Sequence, residues 1–235
     1  MSEYKARDIK ISELKQADLE TLCELYLTYY GGCNRQQFFG DLQDKSGIML
    51  IEFGEEIIGF TTYKIFDQQW QGTTIAIVFS GDTIIEKAHW GQQALAFNWI
   101  RRMGQLKQQE PSKQMFWFLI VKGHRTFRYL DIFSYDYYPH PSKQQTQLSS
   151  LVDFLADQHF SEHYNSSSGV IEFPPEHGYL KPPFASSTTR EMNSAAVNLF
   201  FSLNPDYRQG HELACLCELS AENLKPLARR IFVGD

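Results

Sequence analysis

No stretch of this sequence reaches the ~18 uninterrupted apolar residues that a membrane-crossing helix needs. Its opening, Met1-Ser-Glu-Tyr-Lys-Ala-Arg-Asp8, lacks the apolar centre of a secretory leader. A cytoplasmic protein with no membrane partner is therefore expected. Positive charge is also scarce: 22 Lys and Arg against 28 Asp and Glu leave a net charge of −6. That balance argues against a nucleic-acid partner held by general electrostatics, but it does not disfavour a basic or amine-bearing one. Cysteine is sparse, at Cys23, Cys33, Cys215 and Cys217. The last two alternate in a strand-like run, so their thiols share one face. Two thiols are too few for a zinc site, and all four cysteines are expected to be reduced, buried and inert. No internal repeat or low-complexity tract is visible.

What the chain does have is an ordinary globular balance, 43% hydrophobic and 21% charged over 235 residues, enough for one large or two small domains with a real core. Aromatic content is high at 14%, chiefly 18 Phe and 12 Tyr, and most of it is assigned to packing.

Apolar spacing predicts a helix over 17–30, carrying Leu19, Leu22, Cys23, Leu25, Tyr26 and Tyr29 and ended by Gly31-Gly32. Asn34 caps a second helix running to Leu42. Residues 48–53 and 57–66 read as strands joined by an acidic turn at Gly54. A turn over 68–72 leads into a third strand, 73–79. A long helix is predicted over 89–107, with Ala94, Leu95, Phe97, Trp99, Ile100 and Met103 on its apolar side. The unbroken apolar run Met115–Val121 suits a central strand covered on both faces, and 124–133 suits a helix. With a short first strand near Ile9–Ile11, the order is β-α-α-β-β-β-α-β-α. Further on come a helix through 148–156, a strand at 170–173 and an irregular or lid segment over 174–189. A helix over 192–203 and a strand over 213–219 complete the reading.

The stretch richest in chemistry runs from Gly72 to Arg102: strand, polar bend, helix. A strand feeding a glycine-containing helix start leaves backbone amides and the positive end of a helix dipole open to a phosphate. The bend reads Ile85-Glu-Lys-Ala-His-Trp-Gly-Gln-Gln-Ala-Leu95. It resembles the acyl-CoA pyrophosphate loop of the GNAT N-acyltransferase superfamily. That pattern runs aliphatic, any, Pro, any, aromatic, Arg or Gln, Gly, any, Gly, any, Gly or Ala. Ile85, the flat ring of His89 and Gly91 agree with it. Lys87 replaces the proline, Trp90 the arginine, Gln93 the second glycine and Leu95 the last small residue. Gln93 and Leu95 are expected to crowd the place where backbone approaches a pyrophosphate. Lys87 could restore the lost cation from the other side of the bend, and the amides of Gly91 to Leu95 remain as donors.

The resemblance implies an α/β fold with a mixed central sheet flanked by helices. Residues 1–135 would be GNAT-like, and 136–235 would complete the sheet and add helices and a loop. It implies acetyl-CoA or another acyl-CoA as co-substrate, and transfer of the acyl group to an amine of a small-molecule or peptide acceptor. The pantetheine arm would bond to the backbone of Thr83, Ile84 and Ile85, on a strand splayed from its neighbour. The diphosphate would lie on Trp90, Gly91, Gln92, Gln93, Ala94 and Leu95. Asp82, or next Glu86, is the candidate general base, although Ser80-Gly81-Asp82 also reads as a plain bulge or turn. Tyr129 is the candidate acid for the leaving thiolate. A rival helix, Asn193-Ser-Ala-Ala-Val-Asn-Leu-Phe200, copies the family's Asn-x-x-Ala-x-x-Leu-Tyr but ends in a phenylalanine with no proton to give.

Other groups have two readings. His159-Phe-Ser-Glu-His163 has zinc-ligand spacing, but no third ligand stands out, so surface histidines and no metal are expected. Arg125 and Arg128 could meet a phosphate such as the 3′-phosphate of CoA, or be ion-paired. Tyr135, Tyr137, Tyr138 and His140 could line an acceptor pocket or pack over the core. The alternative function is a non-catalytic GNAT-like protein that binds a ligand or a protein through its altered loop. Acceptor identity, acyl length and homodimer formation stay open.

Overall fold

Three hairpin-linked runs rich in β-branched and aromatic residues start one sheet, and the apolar run Met115–Val121 becomes its centre. In the computed structural model, residues 3–234 are described. In chain order the elements are β1 (Tyr4–Ile9), α1 (Gln16–Tyr29), β2 (Tyr30–Gly31), α2 (Arg35–Gln43), β3 (Gly47–Phe53), β4 (Glu56–Trp70) and β5 (Thr73–Ile85). Then come α3 (Ala94–Gln109), β6 (Met115–Val121), α4 (His124–Phe133), α5 (Thr146–Phe160), β7 (Tyr164–Asn165), β8 (Val170–Ile171) and β9 (Tyr179–Leu180). The chain closes with α6 (Pro182–Ala185), α7 (Thr189–Met192), α8 (Ala195–Leu203), β10 (Glu212–Glu218) and α9 (Pro226–Val233). No helix among the described residues is long and apolar enough to cross a membrane.

The sheet order is β1-β3-β4-β5-β6-β10-β8-β7. Neighbours are antiparallel except β5 and β6, which run parallel and are joined by the crossover helix α3. The sheet is therefore mixed and flanked by helices, the class the sequence implied. Strand alternation sends Met49, Ile51, Val78, Trp117, Leu119, Cys215 and Cys217 to one face, beneath α3, α4, α8 and α9. On the other face, Ile48, Leu50, Phe60 and Ile84 pack under α1 and α2, while Ile75, Ile77, Phe116, Phe118, Ala214 and Leu216 pack under α5. These two clusters are separate, and the open ground between them belongs to the cleft described below.

Several boundaries differ from the expected ones. The turn placed at 68–72 shrinks, because Gln68, Gln69 and Trp70 pair with Ile75, Thr74 and Thr73, and Trp70 packs on Phe154 of α5 at 5.0 Å. The third strand does not stop at Phe79. A bulge at Gly81-Asp82 shifts the register, from Tyr63 opposite Ser80 to Thr61 opposite Thr83, and β5 runs on to Ile85. Glycine suits the bulge, since a Cβ at Gly81 would run into the Thr62 hydroxyl and the Lys45 stem. The long helix starts at Ala94 and not at His89, because Gly91 turns the chain at φ +93. The helix expected over 192–203 divides into α7 and α8, with the Ser194 hydroxyl accepting from the Val197 amide to start α8. All four cysteines are free thiols, but Cys33 is only half-buried.

Candidate active site

β5 and β6 pair only from Ala76 opposite Met115 to Ser80 opposite Leu119. Beyond that point β5 stays with β4 while β6 stays with β10, so the two strands part. The split opens a cleft of about 1300 Å³ lined from both faces of the sheet, with Asp82, Thr83, Ile84, Ile85 and Tyr129 among its walls. Successive residues of a strand turn their backbone groups to opposite edges. The Glu86 amide bonds the Ile58 carbonyl toward β4 at 2.8 Å. The backbone of Thr83 and Ile85 therefore faces the split, while Ile84 faces β4 and buries its side chain under α1. One of these groups is already engaged: the Ile85 carbonyl accepts the Trp90 indole N–H at 2.8 Å.

At the start of α3, the Ala94 and Leu95 amides both point to the Gln92 side-chain oxygen, at 2.6 and 3.4 Å. Gln92 thus caps the helix with its own amide oxygen, in the place an anion's oxygen would take. The cap is poorly matched, since the Gln92 Nε2 is buried with no hydrogen-bond partner. The crowding expected from Gln93 and Leu95 does not occur. Leu95 turns into the core beside Trp99, and Gln93 is exposed at the rim. What occupies the amides is Gln92, a position the loop pattern leaves unrestricted.

A guanidinium from a different element lies against Trp90, the position where the loop pattern has arginine. The Arg125 guanidinium, at the start of α4, lies 4.3 Å from the Trp90 ring centroid. Arg125 also bonds the Phe184 and Ser186 carbonyls at 2.7 and 2.8 Å and Glu191 at 2.9 Å. Burial opposes ionisation of Glu191, but the Thr188 amide and hydroxyl and the Arg125 charge hold its carboxyl down to about 2. Together with the β2–β9 ribbon and the 4.2 Å contact of Phe184 with Tyr29, this network straps residues 179–191 across the mouth of the split. Lys87, the other expected cation, also lines the cleft.

Asp82 sits half-buried in the bulge. Burial and the neighbouring Asp41 charge push its carboxyl up to about 7, against the pull of Lys122 and Lys45. No hydrogen bond or ion pair to its side chain is found among the described residues. Three lysines near it are each paired: Lys122 with Glu212 at 3.1 Å, Lys45 with Asp41 at 2.5 Å and Lys64 with Asp44 at 2.7 Å. Lys122 and Glu212 meet because β6 and β10 pair Val121 with Leu213, which sets the next residues of both strands side by side. Burial works against the Lys122 ammonium, but the carboxylates of Glu212 and Asp82 outweigh it and keep it charged.

Tyr129 reaches the cleft from the opposite face, stacked on Phe133 at 5.6 Å. Burial raises its phenol, so it holds its proton through neutral pH. Phe200 of the rival helix is fully buried against Phe127 at 6.0 Å and does not line the cleft. Glu86 lies just outside the lining residues. The tyrosine group is not an acceptor wall: Tyr135, Tyr137, Tyr138 and His140 are absent from the lining, and Tyr137 is buried with its hydroxyl donating to Asp131 at 3.2 Å. His159 and His163 share no helical face, because α5 ends at Phe160; they pack on Phe66 and Phe173 at 5.1 and 5.4 Å. Arg128 lines the cleft. Sequence reading missed Lys122 and Glu212. A charged residue directly after the apolar run Met115–Val121 and another directly before the apolar run Leu213–Cys217 were the available signal.

No family model and no curated protein matches the sequence. Solved structures do resemble it. A conserved Enterococcus faecalis protein named a probable N-acyltransferase aligns at 8% identity and TM-score 0.44, over 58% of this chain and 33% of its own. A GCN5-related N-acetyltransferase from Kribbella flavida aligns at 11% identity and TM-score 0.41, over 55% of this chain and 34% of its own. Arabidopsis thaliana NAA60, solved with a bisubstrate analogue, aligns at 13% identity and TM-score 0.40, over 57% of this chain and 87% of its own. The match spans about a third of the length of the first two structures. In fold, over a little more than half its length, the chain resembles these structures.

Proposed function

We propose that this chain transfers an acyl group from an acyl-CoA thioester to an amine at the split between β5 and β6. The observation that carries the reading is Asp82, a carboxyl with no ion partner, raised to about 7, in a bulge beside strand backbone that no neighbour pairs. Thr83 and Ile85 hold the thioester arm through their backbone, as a further strand would be held. Gln92 swings aside, and the Ala94 and Leu95 amides turn to a diphosphate. This exchanges two neutral hydrogen bonds for charge-assisted ones, which are roughly twice as strong. Asp82, once ionised, takes the proton from the acceptor amine. The freed nitrogen bonds to the thioester carbon as the C–S bond breaks, and a backbone amide of the split supports the oxygen that gains charge. Tyr129 gives its proton to the departing thiolate and recovers one from solvent. The products are an amide and free CoA thiol.

The test is calorimetric titration of acetyl-CoA and longer acyl-CoAs, with thiol release followed in the presence of amines. Binding is expected, with turnover that rises as pH passes about 7. Failure of all acyl-CoAs to bind, by calorimetry and by thermal shift, overturns the reading. A second reading, a non-catalytic ligand- or protein-binding chain, is favoured by the Gln92 and Trp90 bonds, which satisfy groups the thioester arm and diphosphate would use. Gln92→Ala separates the two: it frees the Ala94 and Leu95 amides and tightens a working CoA site, and it creates no CoA binding where there is none.

A further inference from the structure

We propose that the acceptor is a small primary amine carried on an aromatic body, with no carboxylate or phosphate of its own. The proposal rests on the acyl-transfer reading of the same cleft. On the side of the sheet that holds Asp82, the cleft continues along a wall of rings toward α5. Phe79 precedes Asp82 by three positions on β5 and pairs in register with Phe118 on β6, their rings 5.6 Å apart. Phe160 of α5 lies 6.1 Å from Phe79 and 6.5 Å from Phe118. Phe173 stands 5.9 Å from Phe160, and His177 stacks on Phe173 at 3.7 Å. Burial and the Lys122 charge hold His177 down to about 4, so at neutral pH it is one more uncharged ring. All five side chains line the cleft. Rings at 4.5–7 Å in tilted and edge-on arrangements form the kind of surface that accepts another ring.

Charge marks the other end of this passage. Lys122, Lys45 and Lys64, the lysines beside Asp82 and the ring wall, each already hold a carboxylate, so none of these three is left over for an anionic substituent; Lys87, Arg128 and Arg190 line other parts of the cleft. Asp82 is the carboxylate left over, and an ammonium group is its complement. A strand rises about 3.3 Å per residue, which sets Phe79 about 10 Å from Asp82 along β5, less for the bulge. An amine joined to a ring by two or three atoms spans that distance when its ring lies over Phe79 and Phe160. In the transfer, the ammonium gives one proton to Asp82, the C–N bond forms as the thioester C–S bond breaks, the nitrogen's second proton leaves to solvent while Tyr129 protonates the thiolate, and an N-acylated arylalkylamine leaves with CoA thiol.

The test titrates 2-phenylethylamine into the full chain, with and without acetyl-CoA. Phenylalanine, which adds a carboxylate, and spermidine, which lacks the ring, are titrated alongside. Calorimetry reads binding and thiol release reads transfer. The expected result is that 2-phenylethylamine binds at least tenfold more tightly than either. Phe160→Ala should weaken it about tenfold, the loss of one buried aromatic contact, and Phe160→Leu should weaken it less while keeping α5 packed. Equal or tighter binding of spermidine or phenylalanine overturns the proposal, as does indifference to both Phe160 substitutions. The two readings fail separately. If acetyl-CoA binds and 2-phenylethylamine does not, the aromatic-amine site falls alone. If 2-phenylethylamine binds and acetyl-CoA does not, the amine site stands and acyl transfer falls.

Discussion

Replacing Gln92 with alanine removes the side-chain oxygen that caps α3 and leaves the Ala94 and Leu95 amides facing the cleft. In the free protein this resembles losing a helix N-cap, worth about 1 kcal/mol. For a chain of this size, that lowers Tm by about 2–4 °C. With a diphosphate bound, the same amides are satisfied by the ligand and Gln92 has already left, so the substitution costs almost nothing. The difference between the two states is about 1 kcal/mol in favour of binding, equal to about a fivefold gain in affinity for CoA. Thermal melting with and without saturating CoA, together with calorimetric Kd values, measures both sides of this cycle. The expected pattern is a lower Tm without ligand, an equal Tm with it, and tighter CoA binding. Weaker CoA binding, or the same loss of Tm in both conditions, would refute displacement of Gln92 by a diphosphate.

Asp82→Asn should lower turnover at pH 8 by at least about a hundredfold, the lower end of the range for a single general base. The same change should stabilise the protein there. Because the folded state raises this carboxyl to about 7, folded protein binds its proton more tightly than unfolded chain does, and stability is lost as pH climbs from about 4 through 7. After allowance for solvent at the cleft, about 1 kcal/mol is recovered, or about 2–4 °C at pH 8 and almost none at pH 4. Tyr129→Phe should reduce thiol release about tenfold or more with little change in KM, since its hydroxyl acts on the leaving group; an unchanged rate would take the acid role from it. Glu191→Gln should loosen the strap and raise trypsin cleavage at Arg190 at least tenfold, as charge-assisted bonds of about 1.5–3 kcal/mol are lost. Since Glu191 is depressed to about 2, the wild-type strap keeps its full hold above about pH 4.5 and gives it up as pH falls toward 2; acid-stage proteolysis that shows no such release would contradict this.

Local periodicity was enough where an element's neighbours do not alter it. The helix around Leu22, Cys23 and Tyr26, the Asn34-capped helix, the run Met115–Val121 and the helix carrying Phe127 and Leu130 stand within a residue or two of their expected bounds. Ser80-Gly81-Asp82 reads as a turn in sequence, because nothing nearby reveals that β4 will pair on both sides of it and absorb one extra residue as a bulge. Asp82 was legible as a carboxylate near the bend, but its isolation depends on Lys122 and Glu212, which meet only when β6 and β10 pair. The Gln92 cap was not legible either. A glutamine beside a helix start can face solvent or fold back, and only the position of Gly91 and the exposed amides decides between them. Arg125 on Trp90 is a contact between α4 and the loop, which no spacing rule along the chain connects.

Amide chemical shifts followed by NMR during a CoA titration address the split and the helix start together. Shifts should concentrate at Thr83, Ile85 and Gln93 to Leu95, with the Gln92 side-chain amide released to solvent. Perturbations confined to other surfaces, or none at millimolar CoA, would contradict the seating of a thioester arm between β5 and β6.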